Sequence, residues 1–294
     1  MTLEIPSGAQ AGPEFDVDVA TQAYIDLLSE EARSKSAAYV NGGYWIALAG
    51  TIQGLVLAWL LLALGWSAAM RRLAERVTRW KTVHTWLYAV QYILLTTALT
   101  FPFSVYAGFV REHRFNLATQ TFPEWAGDQL KGLLITLIMG GLAITLLYAV
   151  VRRWPRRWWV GGSLTMVGLI IFSMIIAPVF IAPMFNDYKP LEPGPLRASI
   201  LSMARANGVP ASDVYWFDAS KQTTRISANV SGLLGTTRIS LNDNLLNGTS
   251  PEEVEAVMAH EIGHYVLNHG WESVIAMGLL IVIGFAFVQW GFER

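Results

Sequence analysis

Five apolar stretches decide what this chain can fold into. Residues 43–66, 83–108, 130–151, 158–183 and 274–290 are broken by only a few polar, mostly uncharged side chains. About 20 residues of helix cross a bilayer core; four of the five stretches reach that length and the last falls slightly short. Helices buried in a soluble core usually keep a polar stripe, which these lack. Tyr44, Trp45, Trp66, Trp86, Trp158, Trp159 and Trp290 stand near the ends of these stretches, where amphipathic rings anchor at the membrane interface. The expectation is a mainly α, multi-spanning helical membrane protein. The first 40 residues are polar, carry seven acids and show no signal peptide.

Charge and cysteine content narrow the chemistry. Lys plus Arg (21) nearly cancels Asp plus Glu (22), so there is no basic field to hold nucleic acid. With no cysteine there is no thiolate nucleophile and no Cys-type zinc site, so a metal must be held by His and carboxylate.

The organisation expected is a polar acidic tail (1–40, with a short amphipathic helix over 23–39), four spans (41–183), a small α+β domain (184–270) and a fifth span (271–294). Within the small domain a Pro-rich link (Pro183, Pro190, Pro193, Pro195) leads to a helix over 196–207. Strands are predicted at 214–217, 225–230 and 238–241, with a turn signalled by Gly232 and Gly235.

The last helix of that domain carries the chemistry. Ser250, Pro251 and Glu253 form a helix start: a capping hydroxyl, a proline at the first helical position, and a carboxylate three residues past the cap. Gly270 supplies a stop. Between them, His260 and His264 are four residues apart and share one face, where both imidazoles can bind one zinc ion. Glu261 lies about 100° round the helix, placed to reach a metal-bound water without becoming a ligand. His269 lies nine residues from His260, about 180° round the helix, and faces away, so it is expected to support a ligand from outside the metal's own shell or to sit at the surface, and not to be a ligand itself.

Four blocks, ARSKSAAY (32–39), REHRFNLATQT (111–121), APMFNDYKPLEPGPLR (182–197) and HEIGHYVLNH (260–269), together resemble the type I CAAX prenyl endopeptidases. These are integral membrane zinc proteases of the gluzincin kind, with HtpX-type proteases as more distant relatives. The resemblance implies Zn2+ held by His260 and His264, with Glu261 as general base. It implies an edge strand around 226–232, with Ser227, Ala228 and Asn229, that pairs with an extended peptide. Its substrates would be peptides or proteins, lipidated or membrane-bound.

The gluzincin pattern takes a third ligand from a Glu on a later helix. Downstream of His264 only Glu272 and Glu293 remain, the first too close to the same helix end and the second beyond a span. The expectation is therefore a truncated fragment or an incomplete gene product, with a quality-control protease of HtpX type and a catalytically incomplete pseudo-protease as alternatives. Sidedness divides two arguments. Nine cations in 67–82 and 152–157, against seven near the opposite span ends, put the tail and the small domain outside by the positive-inside rule. The family resemblance puts the domain on the cytoplasmic face, which is the reading preferred.

Overall fold

The computed structural model describes residues 5–10, 12–13, 15–232 and 235–294. It divides into two compact units, 1–59 and 60–294.

In the first unit, α1 (Val17–Ile25) is capped by Asp16, whose carboxylate accepts the backbone N–H groups of Asp18 and Val19. A short turn follows, and α2 (Glu30–Ala63) then runs unbroken for 34 residues. The amphipathic helix expected over 23–39 is thus split: its first residues end α1 and the remainder are the opening turns of α2. Arg33 stabilises the junction through Asp26 and Glu30.

In the second unit the short α3 (Trp66–Val77) turns the chain into α4 (Lys81–Val105). That helix continues through a π-helical turn, Tyr106–Val110, into α5 (Arg111–Arg114). The wide turn lies just after Pro102, which has no N–H to give the helical ladder. Next come α6 (Phe122–Arg153), started by a Thr121–Glu124 capping box, and α7 (Trp158–Ile176), which also runs into a π turn, Ala177–Ile181. Among the described residues five helical segments are long and apolar enough to cross a membrane, the fifth being α11 (His269–Glu293). All five expected spans are present; four are extended well beyond their apolar stretches by polar end turns of the same helix, and the one from Trp158 to Met184 matches its stretch to within one residue.

Between α7 and α11 lies a four-stranded sheet with two main helices. The strands are β1 (Tyr188–Pro190), β2 (Val214–Phe217), β3 (Ala228–Ser231) and β4 (Arg238–Asn242), with spatial order β1-β2-β4-β3. Only the β2–β4 pairing is parallel. Strand β1 falls within the Pro-rich link, which the sequence had suggested was a connection only; Pro190 is tolerated because it closes an edge strand. The turn expected between β3 and β4 falls at 233–234, outside the described residues. Gly232 before it has φ +100°, and a Cβ there would sit 2.1 Å from the Thr236 carbonyl oxygen, so only glycine fits.

Helices α8 (Pro195–Ala206), α9 (Asp243–Gly248) and α10 (Pro251–Val266) complete this region. Its core joins Ile200 and Ala204 of α8, Val214 of β2, Ile239 and Leu241 of β4, Leu245 of α9, and Val254, Met258 and Ile262 of α10. Burying a large apolar side chain stabilises by about 1.5–3 kcal/mol, so this cluster locks α10 to the sheet.

The segment 115–121 ties the sheet region to the membrane helices. The Leu117 carbonyl accepts from the Thr223 hydroxyl at 2.7 Å, and the Thr119 hydroxyl donates to the Ser220 carbonyl at 2.8 Å. Glu112 pairs with Arg225 at 2.7 Å, and the Gln222 amide donates to Asp128 of α6 at 3.1 Å. His113 holds the clamp in shape, one ring nitrogen 2.8 Å from the Phe109 carbonyl and the other 2.9 Å from that of Gln120.

Candidate metal centre

Helix α10 starts where its sequence says it should. The Glu253 N–H donates to the Ser250 hydroxyl at 3.3 Å and the Ser250 N–H donates to the Glu253 carboxylate at 2.7 Å, with Pro251 opening the first turn. The neighbouring Glu252 carboxyl is held below its usual range by its own backbone N–H and by the Ser250 hydroxyl. These groups satisfy donors that a helix start leaves open, and a negative charge there complements the helix dipole.

The buried face, Val254, Met258 and Ile262, repeats every four residues and points into the sheet core. His260 and His264 therefore project from the other side, exposed, while Glu261 is half-buried. Their Nε2 atoms are 3.0 Å apart and their rings nearly perpendicular, at 89°. Ligating atoms of His260, Glu261 and His264 all lie within 4.8 Å of one another. Among the described residues, neither Glu272 nor Glu293 joins that group. Two imidazole nitrogens each about 2.0–2.1 Å from one tetrahedral zinc ion are about 3.3 Å apart, so the histidine pair fits a shared ion with little adjustment.

His269 stands elsewhere than a continuous helix would put it. Helix α10 ends at Val266, Asn268 takes a left-handed conformation (φ 60°, ψ 28°), and His269 opens α11. That kink swings its ring back, so that His269 Nδ1 lies 2.6 Å from His264 Nδ1. A metal-ligating imidazole is held in orientation by a partner on its other ring nitrogen, and His269 Nδ1 stands in that position beside His264. A warning was present in the sequence: asparagine adopts the left-handed conformation more readily than most residues and commonly ends helices.

A cavity of about 710 Å³ opens beside this group, lined by His264, His269, Asn229, Ser231, Arg238 and Tyr188 among others. The Arg238 guanidinium lies 3.9 Å from the Tyr188 ring centroid, and its Nε is buried with no hydrogen-bond partner among the described residues. Burial pushes the Tyr188 hydroxyl above its ordinary pKa, against the opposing pull of Arg238. Neither residue was singled out from sequence, since nothing local distinguishes an Arg or Tyr on a short strand.

The three edge-strand residues are placed differently from one another. Strand β3 is at the margin of the sheet, paired on one side only, with β4. Ser227 precedes it and is tied to Asn242: its N–H donates to the Asn242 side chain at 3.0 Å and its carbonyl accepts the Asn242 N–H at 2.9 Å. Backbone groups alternate in direction along a strand, so those of Ala228 and Val230 point to the open edge. Asn229 lines the cavity, whereas Ser227 and Ala228 do not; Val230, Ser231 and Gly232 continue the lining in their stead.

Comparison with known proteins places the chain in a family. Residues 18–187 match the family described as CAAX prenyl protease N-terminal, five membrane helices, and residues 190–293 match Peptidase family M48. The chain is 38% identical over 184 residues to CAAX prenyl protease 1 of Saccharomyces cerevisiae, covering 62% of this chain and 40% of the yeast protein. It is 29% identical over 256 residues to the uncharacterized metalloprotease YhfN of Bacillus subtilis, covering 87% of this chain and 60% of that one. The crystal structure of S. mikatae Ste24p is similar with a TM-score of 0.77 at 28% identity, covering 89% of this chain and 63% of that chain. The chain thus spans between 40% and 63% of the length of these relatives. With family matches that together cover residues 18–187 and 190–293, and with five span-length helices, this chain is an integral multi-pass membrane protein of the CAAX prenyl protease family of M48 peptidases.

Proposed function

We propose that this chain carries the catalytic helix of a membrane-embedded zinc endopeptidase acting on CAAX-type peptides, prenylated or otherwise held at the membrane. The observation that carries the reading is the 3.0 Å approach of His260 Nε2 to His264 Nε2, with Glu261 in the same group and an open strand edge nearby. Membership of peptidase family M48 implies a metal ion; the nitrogen donor pair and the lack of cysteine favour zinc. When bound, zinc supplies a Lewis acid for the scissile carbonyl and an acidified water.

The chain's own residues do the rest. The Glu261 carboxylate takes the proton of the attacking water and passes it to the leaving amine. The outward N–H and C=O groups of Ala228 and Val230 hold an extended peptide as an added strand, with Asn229 facing the cavity beside it. His269 keeps the His264 ring turned to the metal. The described residues provide two of the three protein donors that catalytic zinc sites use. We place the peptidase domain on the cytoplasmic face, which a reporter inserted at Gly248 tests by its side of activity.

The decisive experiment is Glu261→Gln assayed for peptide hydrolysis and zinc content together. Turnover is expected to fall by about 10²–10⁴ with zinc retained; a variant that keeps full activity overturns the assignment.

A further inference from the structure

A second cavity, about 850 Å³, lies at the other end of α6 from the peptidase domain. Asp128 contacts that domain, whereas Tyr148 and Arg152 line the cavity, a separation of about 30 Å along the helix at 1.5 Å per residue. It therefore opens at the membrane face opposite the metal centre and plays no part in the chemistry proposed there.

Its walls are cationic. Arg71 comes from α3, Arg79 and Lys81 from the turn leading into α4, and Arg152 from the last turn of α6. A single carboxylate faces them, Glu75, which pairs with Arg71 at 3.7 Å. Among the described residues none of Arg79, Lys81 and Arg152 forms an ion pair. Arg152 is instead held in place by donating to the Thr85 hydroxyl at 3.0 Å, and Ser67 and Tyr88 share a hydroxyl–hydroxyl bond of 2.8 Å on the same wall. Four cations from three separate segments, with hydroxyl donors between them, suit a phosphate group.

The rim tells which phosphate. Leu62 on the cavity wall and Leu73, Val77 and Trp80 around α3 are exposed. Helix α3 carries Arg71, Arg72 and Arg76 on one side and apolar residues on the other, the pattern of a helix lying in the headgroup layer. The volume falls within the roughly 300–1,000 Å³ of ordinary ligand pockets, and basic pockets between membrane helices bind anionic headgroups.

We propose that this cavity binds the phosphate headgroup of an anionic phospholipid, with Arg79, Lys81 and Arg152 as its charge partners. The exposed apolar rim favours a lipid over a free anion, because acyl chains can leave the cavity along it.

The test is native mass spectrometry of the purified full chain with phosphatidylglycerol and phosphatidylcholine, repeated in excess inorganic phosphate. Phosphatidylglycerol is expected to be retained at least tenfold more strongly than phosphatidylcholine. Arg79→Gln and Lys81→Gln should each weaken that retention about fivefold. Arg156→Gln and Arg157→Gln, at the same membrane face but outside the cavity lining, should leave it unchanged. Since Arg152→Gln also removes the Thr85 bond, Thr85→Val serves as its packing control. Equal retention of the two lipids, equal loss in the Arg156 and Arg157 variants, or full displacement by inorganic phosphate overturns the proposal.

Discussion

His264 and His269 meet Nδ1 to Nδ1 at 2.6 Å, although residues five apart on one unbroken helix diverge by about 140°. The left-handed turn at Asn268 makes the contact possible, and it brings an imidazole that the helical pattern sends away against the one proposed to bind the metal. Second partners of this kind typically change metal affinity by 10–100-fold.

His269→Ala should therefore lower zinc affinity about 10–100-fold, measured by competition with a chromophoric chelator, while the helical signal in circular dichroism stays the same. His269→Gln, which keeps an acceptor, should recover part of the loss. Unchanged affinity in the alanine variant would show that the contact orients nothing.

The alternation of backbone groups along β3 makes a second expectation. Proline removes an N–H, and at Val230 that N–H points to the open edge. At Asn229 it belongs to the ladder with Ser240 of β4. Asn229→Pro should lower stability more than Val230→Pro does, because it removes a ladder hydrogen bond, whereas Val230→Pro should keep most of the fold and raise KM for a peptide substrate more than it lowers kcat. Thermal unfolding and steady-state kinetics on both variants distinguish the two sites; the reverse order of stability loss would mean the register is off by one residue.

Met258 is fully buried between α10 and the sheet, four residues before Ile262 on the same stripe. Met258→Ala should destabilise by about 2–5 kcal/mol, lowering the unfolding midpoint in denaturant. Because the same stripe sets the azimuth of α10, zinc affinity should fall in the same variant. A loss below 1 kcal/mol would indicate that this core does not hold the helix.

Asp218 joins the start of β1 to the end of β2, accepting the Asp187 N–H at 2.8 Å and pairing with Lys221 at 2.9 Å. Burial pushes its carboxyl up, but the Lys221 and Asp187 bonds outweigh that and hold it below the ordinary 3.8. A depressed folded pKa gives stability that is present above the unfolded value and is lost as pH falls through the folded one. Asp218→Asn should thus remove a contribution of about 1 kcal/mol or less at neutral pH. It should also flatten the acid limb of stability below about pH 4, read from unfolding midpoints across a pH series; an unchanged limb counts against the pairing.

The sequence alone determined the membrane class, the start of α10 and the His260–Glu261–His264 group. Each rests on short-range physics: apolar side chains partition residue by residue, a cap acts within three positions, and residues four apart on a helix must share a face. The same locality explains the misplacements. The helix expected at 23–39 took hydrophobic period for continuity and passed over the turn before Glu30, and His269 was carried along a helix that stops at Val266. The family resemblance already implied an edge strand over 226–232; only the tertiary structure decided that Ser227 is tied to Asn242 while the Val230 backbone groups face the open edge, and that Arg238 and Tyr188 line a cavity with His264. Those relations depend on pairing between segments distant in sequence, where a shift of one residue reverses every side chain, and no local signal specifies that choice.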